Sequence, residues 1–279
     1  MTPAPQIPQL ELNDGHHLPV LGLGTYAVQG EDGVAALSQA IQDGYRLLDT
    51  AASYGNEREV GAAVAASGVP RDELLLTSKV RGQDQGYDAA RRAAERTLRD
   101  LGVDRLDLYL IHWPLPRLDL YVETWRALVD LRDEGLVRSV GVSNFTAEHL
   151  DRLVAETGVV PAVNQIELHP YFTQAELRAV HAARAVVTES WSPLGRKSTV
   201  LTDPAVVEAA ENHGVSPAQA VLRWHVQLGV VAIPKSANRD RWRANLDIFG
   251  FELSAEEMER LSSLEQVRLG GDPLTHEEF

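Results

Sequence analysis

Eight short runs rich in apolar and β-branched residues recur along the chain, and amphipathic segments separate them; this alternation constrains the fold more than any other feature. The runs are VLGLGT, YRLLDT, LLLTSKV, RLDLYLIHW, VRSVGVSN, AVNQIE, AVVTESW and VVAIPKS. Between them lie segments such as DGVAALSQAIQDG, DAARRAAERTLRDLG and TAEHLDRLVAETG, whose apolar residues recur at helical spacing and which glycine closes as a C-cap. Strand and helix alternating eight times, with no Pro/Gly/Ser-rich linker and no shift in composition, predicts one closed parallel sheet and not a doubly wound sheet with a second domain. The expectation is an α/β protein, a single (β/α)8 TIM barrel over residues 1–279, close to the ~250 residues such barrels need.

Three additions are expected around that barrel. Residues 7–20 read as an N-terminal β-hairpin turning at Asn13, Asp14 and Gly15. DPAVVEAAENHG reads as an extra helix before the seventh barrel helix, and SAEEMERLSSLEQV as another after the eighth. Residues 266–279 form a tail placed near the active site.

Composition narrows the partners. A net charge of −14 argues against nucleic acid and anionic membrane, since both reward a basic face. With no cysteine, thiol catalysis, disulfides and thiolate metal sites are excluded. No apolar run reaches the ~18 residues that span a bilayer, and MTPAPQIPQL lacks the basic and apolar regions of a secretory signal. A cytoplasmic monomer acting on a small molecule is expected. Only three of 26 cationic residues are lysine, namely Lys79, Lys197 and Lys235. Where arginine is the default cation, a lysine marks a candidate position for a compact ammonium.

The stretch GLGTYA, residues 22–27, matches the G-x-G-x-x-A spacing of a dinucleotide-binding strand-turn-helix. That turn needs a helix opening directly on the glycines, because the helix N-terminus holds the pyrophosphate. Here AVQGEDG intervenes and the helix is expected near Asp32.

In a (β/α)8 barrel the C-terminal strand ends converge on one face, where the chemistry is done. The ends of strands two, three and four offer Asp49, Lys79 and His112, and Tyr54 follows in the loop TAASYGNE. Singly each has an ordinary use as a cap, a packed ring or a solvated charge; on one rim they share a task. A phenol titrating near 10 is a poor acid at neutrality, but an ammonium at ~4 Å stabilises its phenolate by up to ~4 kcal/mol at an effective dielectric of ~20. Lys79 is therefore expected to lower the Tyr54 pKa, Asp49 to hold Lys79 charged, and neutral His112 to orient a substrate oxygen. Such a site protonates an oxygen that is becoming an alkoxide, so the missing half of the reaction is a hydride from a nicotinamide cofactor. It needs no metal.

Here the sequence resembles the aldo-keto reductase family along nearly its whole length, through GYRLLDTAASYGNEREVG, LLLTSKV, LDLYLIHWP, VGVSNF, NQIELHPY, SWSPLG and AIPKSANRDRWRANLDIF. The resemblance implies that Asp49, Tyr54, Lys79 and His112 are the catalytic tetrad, with Tyr54 the general acid. It implies that Ser143, Asn144 and Gln165 bind the nicotinamide carboxamide and that Trp191 stacks on its ring. Ser192 and Leu194 would lie along the pyrophosphate, and Lys235, Ser236, Arg241 and Asn245 at the adenosine end. The cations there imply NADPH as cofactor, since only it carries a 2′-phosphate. Ala244 stands where many members have a glutamate touching the adenine, and Lys197 matches no functional position. The GLGTYA glycines, Gly24 among them, are then expected to let the first strand approach the cofactor, with Asp49, Thr25 and Tyr26 at its nicotinamide end.

The tail LGGDPLTHEEF resembles the family's bacterial branch, which acts on small sugars, diketogluconates and simple aldehydes. Tyr26, Tyr54, His112 and Trp113, with the loop RGQDQGYD and the tail, are expected to line the substrate pocket with an apolar, aromatic wall carrying few fixed charges. The implied activity is reduction of small carbonyls, dicarbonyls and keto-sugars. One alternative is a nicotinamide-binding regulatory protein with little turnover, and another a lyase or isomerase whose Lys79 forms a Schiff base.

Overall fold

The computed structural model describes residues 7–26 and 28–278, so that Ala27 of the GLGTYA motif and Phe279 of the tail lie outside the described residues. The chain opens with an antiparallel hairpin, β1 (Gln9–Glu11) against β2 (His17–Pro19), with Leu10 opposite Leu18. Its turn needs Gly15, whose φ of +83° would strain any L side chain. Leu12 and Leu18 pack with Leu47, Leu108, Val163 and Val231. Those residues lie near the starts of their strands, so the hairpin seals the end of the barrel opposite the strand termini.

Eight parallel strands follow in sequential order: β3 (Leu23–Gly24), β4 (Leu47–Asp49), β5 (Leu75–Val80), β6 (Leu106–Ile111), β7 (Val137–Ser143), β8 (Val163–Glu167), β9 (Val187–Trp191) and β10 (Val231–Ile233). The last closes on the first. Leu21 bridges Ala232 in parallel, Ala232 N–H donates to Val20 O at 3.0 Å, and Gly22 and Gly24 donate to Ala232 O and Pro234 O at 2.9 and 3.0 Å. All six residues of β6 are buried, the continuous burial that helices outside and side chains inside impose on a parallel strand.

Barrel helices α1 (Gly30–Asp43), α2 (Glu57–Ala66), α3 (Tyr87–Leu101), α4 (Tyr121–Asp133), α5 (Ala147–Thr157) and α6 (Ala175–Ala183) follow the first six strands. After β9 come α7 (Pro204–His213) and α8 (Pro217–Gln227), and after β10 come α9 (Arg239–Leu246) and α10 (Ala255–Ser262). The two additional helices, α7 and α10, are where the caps predict them. Asp203 accepts from Ala205 N–H with Pro204 at the first position of α7, and Ser254 with Glu257 forms a capping box on α10. Helix α1 starts two residues before the expected Asp32, because its N-cap Gln29 makes no side-chain capping bond that could mark the start.

Of the GLGTYA glycines, Gly22 serves packing. A Cβ on Gly22 would stand 2.6 Å from Ile233 Cδ1 and 2.8 Å from Leu47 Cγ, inside the barrel. One on Gly24 would sit in ordinary contact, 3.4 Å from Ile233 and 3.6 Å from the Lys235 Cβ. At Gly22 the missing side chain lets the neighbouring strands β4 and β10 close in, whereas Gly24 faces a cavity beside Lys235.

Candidate active site

Strand ends bring the four expected groups onto one rim. Asp49 ends β4, Lys79 is the penultimate residue of β5, and His112 follows β6 directly. Tyr54 ends a single 3₁₀ turn, Ala52–Tyr54, that Gly55 closes at a φ of +66°. Lys79 is fully buried, and its ammonium donates to Asp49 Oδ1 and Oδ2 at 2.7 and 2.8 Å and to Thr50 O at 2.9 Å. Three hydrogens meet three acceptors. No lone pair is free to attack a carbonyl, which removes the geometric basis of the Schiff-base reading.

Burial presses Lys79 to release its proton, but the Asp49 charge and hydrogen bonds, with Tyr54 and Glu189 nearby, together outweigh that pressure and hold the ammonium above its ordinary range. The ammonium sits 5.4 Å from the Tyr54 ring centre. Against expectation, the phenol lies above its ordinary pKa: burial pushes it up, Lys79 pulls it down, and Asp49 pushes it up again. Charge counting alone gave the wrong sign because it left out desolvation. The Tyr54 ring meets Tyr26 edge-on at 5.2 Å and His112 at 6.1 Å.

The expected cofactor residues form a connected platform. Ser143 Oγ donates to Gln165 O at 2.8 Å, and Asn144, in a left-handed conformation at φ +64°, donates through Nδ2 to Ser143 Oγ and His112 O, both at 3.0 Å. Trp191 Nε1 donates to Asn144 Oδ1 at 2.8 Å, and the Arg196 guanidinium lies 4.9 Å from the Trp191 ring centre. Gln165 Nε2 donates to Asp49 Oδ2 at 2.8 Å and to Glu189 Oε1. Both of its amide hydrogens are thus claimed by carboxyl oxygens, which fixes the amide and leaves the carbonyl oxygen to accept. Thr25 donates through N–H and Oγ1 to the Asp49 backbone carbonyl at 2.9 and 3.0 Å, tying the end of β3 to the end of β4.

Farther along the rim, Ser192 has a φ of +52° and accepts from Arg196 Nε at 3.2 Å, and Leu194 packs on the apolar core. Lys235 and Arg241 are exposed and form no ion pair among the described residues, whereas Arg239 is committed to Asp43 at 3.0 Å. Ser236 exchanges short-range bonds with Asn238, which caps α9 through Arg241 N–H. Asn245 is buried beside the Tyr45 hydroxyl, beneath that surface. Lys197 is exposed without an ion pair among the described residues. A cavity of about 240 Å³ opens beside Lys235, walled by Gly24, Asp32, Ala36 and Trp242.

At the substrate mouth the expected walls converge, but not as an uncharged surface. Trp113 is buried and stacks on His276 of the tail, ring centres 3.9 Å apart, while Gln85 of the RGQDQGYD loop donates to Trp113 O at 2.7 Å. Glu278 enters beside the tetrad, its Oε1 2.6 Å from His112 Nδ1. The expectation of few fixed charges is corrected: the tail itself delivers a carboxylate.

Four residues at this site carried no sequence expectation: Ser53, Glu167, Glu189 and Glu278. Glu167 accepts from Leu269 and Gly270 N–H at 2.6 and 2.8 Å and pairs with His169 at 3.0 Å, so it anchors the tail. It lies two residues beyond Gln165, on the same face of β8, so strand alternation was enough to find it. Glu189 pairs in register with Gln165. Buried, and facing the Asp49 charge, it is pushed up to about 8.

Among the described residues no group of three or more His, Cys, Asp or Glu is placed to hold a metal ion, and no helix is long and apolar enough to cross a membrane. Known proteins resemble the chain in both sequence and fold. The 2,5-diketo-D-gluconic acid reductase B of a Corynebacterium species is 55% identical over 276 residues, covering 99% of this chain and 100% of its own. A solved aldo/keto reductase from Brucella melitensis is 47% identical at a TM-score of 0.89, covering 92% of this chain and 99% of that one. An aldo-keto reductase of Bombyx mori, solved in complex with NADP, is 36% identical at a TM-score of 0.86 and covers 93% of each chain. A model of the aldo/keto reductase family matches residues 20–266, and with the closed barrel and the rim of Asp49, Tyr54, Lys79 and His112 this places the chain in that family.

Proposed function

We propose that this protein reduces small aldehydes, ketones, dicarbonyls and keto-sugars to alcohols with NADPH, and that Tyr54 is the proton donor. The observation that carries the reading is the Lys79 ammonium, buried and fully hydrogen-bonded by Asp49 and Thr50, fixed beneath the Tyr54 ring. A donor must keep its proton until the substrate oxygen gains charge. The raised pKa of Tyr54 does that, and Lys79 then stabilises the phenolate left behind. His112, on the same rim, orients the carbonyl oxygen.

The chain's own groups fit a nicotinamide dinucleotide. Gln165 presents an unclaimed carbonyl oxygen to an amide donor, Ser143 and Asn144 flank it, and Trp191 offers a ring face held in place by Asn144. In a chain of net charge −14, Lys235 and Arg241 stand as exposed cations free to pair with a phosphate. The Bombyx mori relative solved with NADP supports the same assignment. When bound, the cofactor supplies the hydride.

The test is NADPH consumption over ketoacids, sugars, dicarbonyls and aromatic aldehydes, with Tyr54→Phe beside the wild type. General acid catalysis contributes about 10²–10⁴ in rate, so turnover should fall at least about a hundredfold in the variant while NADPH still quenches tryptophan fluorescence. Near-normal turnover by Tyr54→Phe would refute Tyr54 as the acid.

A further inference from the structure

At the mouth of the site the chain supplies its own anion. Glu278 Oε2 accepts from Gly82 N–H at 2.9 Å, Oε1 lies 2.6 Å from His112 Nδ1, and the Ser53 hydroxyl, 3.3 Å from the same nitrogen, stands beside the carboxylate and helps to hold it ionised. A backbone N–H, a hydroxyl and an imidazole nitrogen around two oxygens make a cradle for a carboxylate. Burial works to raise the Glu278 pKa, but the His112 contact and the Gly82 and Ser53 bonds outweigh it and hold the carboxyl below its usual range.

The approach of the tail is built in. A Cβ on Gly82 would collide with the Glu278 carbonyl oxygen, and one on Gly270 with the Trp191 ring. Glu167 anchors Leu269 and Gly270, His276 stacks on Trp113, and Glu277 pairs with Arg117. Against the loop Leu115–Leu118 the tail leaves a cavity of about 60 Å³, and Leu274 is 53% exposed.

We propose that Glu278 is a specificity-determining residue: it is the internal occupant of a carboxylate cradle formed by Gly82, Ser53 and His112, and it biases the enzyme against carbonyl substrates that bear a neighbouring carboxylate. Such a substrate must either displace a hydrogen-bonded carboxylate or bind beside a like charge. An uncharged substrate faces neither cost. The inference rests on the reductase reading above and sharpens its substrate class.

The matched probes are phenylglyoxylate and its methyl ester, with kcat and KM measured separately on the full chain. In Glu278→Gln and Glu278→Ala the acid-to-ester ratio of kcat/KM should rise at least about tenfold, carried by a lower KM for the acid. Glu277→Gln, which removes a charge facing Arg117 instead, should leave that ratio in place. The proposal is overturned if both Glu278 variants keep the ratio within about twofold of wild type, as general loosening of the tail would, or if Glu277→Gln moves it equally. A wild type that turns over neither probe nor any aldehyde fails the reductase reading alone. Binding of benzoate, followed by tryptophan fluorescence, still reads the cradle in that case. It should tighten about tenfold in Glu278→Ala, and unchanged affinity would overturn the proposal.

Discussion

Replacing Lys79 by methionine keeps most of the side-chain length and removes the charge. Asp49, only 4% exposed, then loses two of its three side-chain hydrogen bonds, those from the Lys79 ammonium at 2.7 and 2.8 Å, and keeps only the one from the Gln165 amide at 2.8 Å. Breaking a buried ion pair from one side costs about 3–5 kcal/mol, because the remaining charge is stranded, and that is a large part of the 5–15 kcal/mol typical of a folded domain. The loss should depend on pH in a set direction. Lys79 is held above its ordinary range in the wild type, so its contribution is complete at low and neutral pH and disappears only in strong alkali. In the variant a carboxylate stays buried with no ammonium beside it, and because the penalty falls on its charged form it grows from acid toward neutral pH, where that form is populated. Urea unfolding at pH 5 and pH 8 should therefore show a larger deficit at pH 8, and Asp49→Asn added to Lys79→Met should recover part of it. A deficit below about 1 kcal/mol at pH 8, or a double variant no more stable than the single one, refutes the reasoning.

Two further outcomes follow from the charged groups. Arg241→Ala should weaken NADPH binding by at least about tenfold, the worth of a charge-assisted hydrogen bond, and leave NADH nearly unaffected; equal losses in a fluorescence titration would place the 2′-phosphate elsewhere. Burial holds His181 and His225 down to about 4, whereas an unfolded histidine titrates near 6.5. Both contributions are complete above pH 6.5 and are lost as pH falls toward 4, at up to about 3 kcal/mol each, because only the unfolded chain takes up the protons. Urea midpoints that stay level from pH 7 to pH 5 would contradict this.

The barrel and its rim were legible because they depend on order along the chain. Alternating runs fix which elements exist, and a closed parallel sheet puts every strand end on one face, so Asp49, Lys79 and His112 converge without any distance being known. What stayed hidden depends on depth and on remote approach. Gly22 and Gly24 lie two residues apart, yet a side chain would collide with Leu47 and Ile233 only at the deeper Gly22, and at Gly24 it would make ordinary contact. The sign of the Tyr54 shift turns on burial, which charge counting omits. Strand alternation places Glu167 on the Gln165 face, but its partner is the backbone of a tail that has no periodicity, so its role as an anchor has no signal in the sequence.

Glu278 lies 196 residues from Gly82, in that same aperiodic tail, so neither spacing nor amphipathicity points to it. Its effect is also distinct from the one charge feature that the sequence does display. A net charge of −14 repels anionic substrates at long range, and salt screens that repulsion over a Debye length of about 8–10 Å at physiological strength. A carboxylate held by Gly82, Ser53 and His112 discriminates at contact, inside that length. Raising the salt should therefore speed the encounter with ketoacids while leaving the Glu278-dependent part of the acid-to-ester ratio in place. A ratio that rises with salt as far in the wild type as Glu278→Ala raises it would assign the whole preference to net charge, and the cradle would have no part in selectivity.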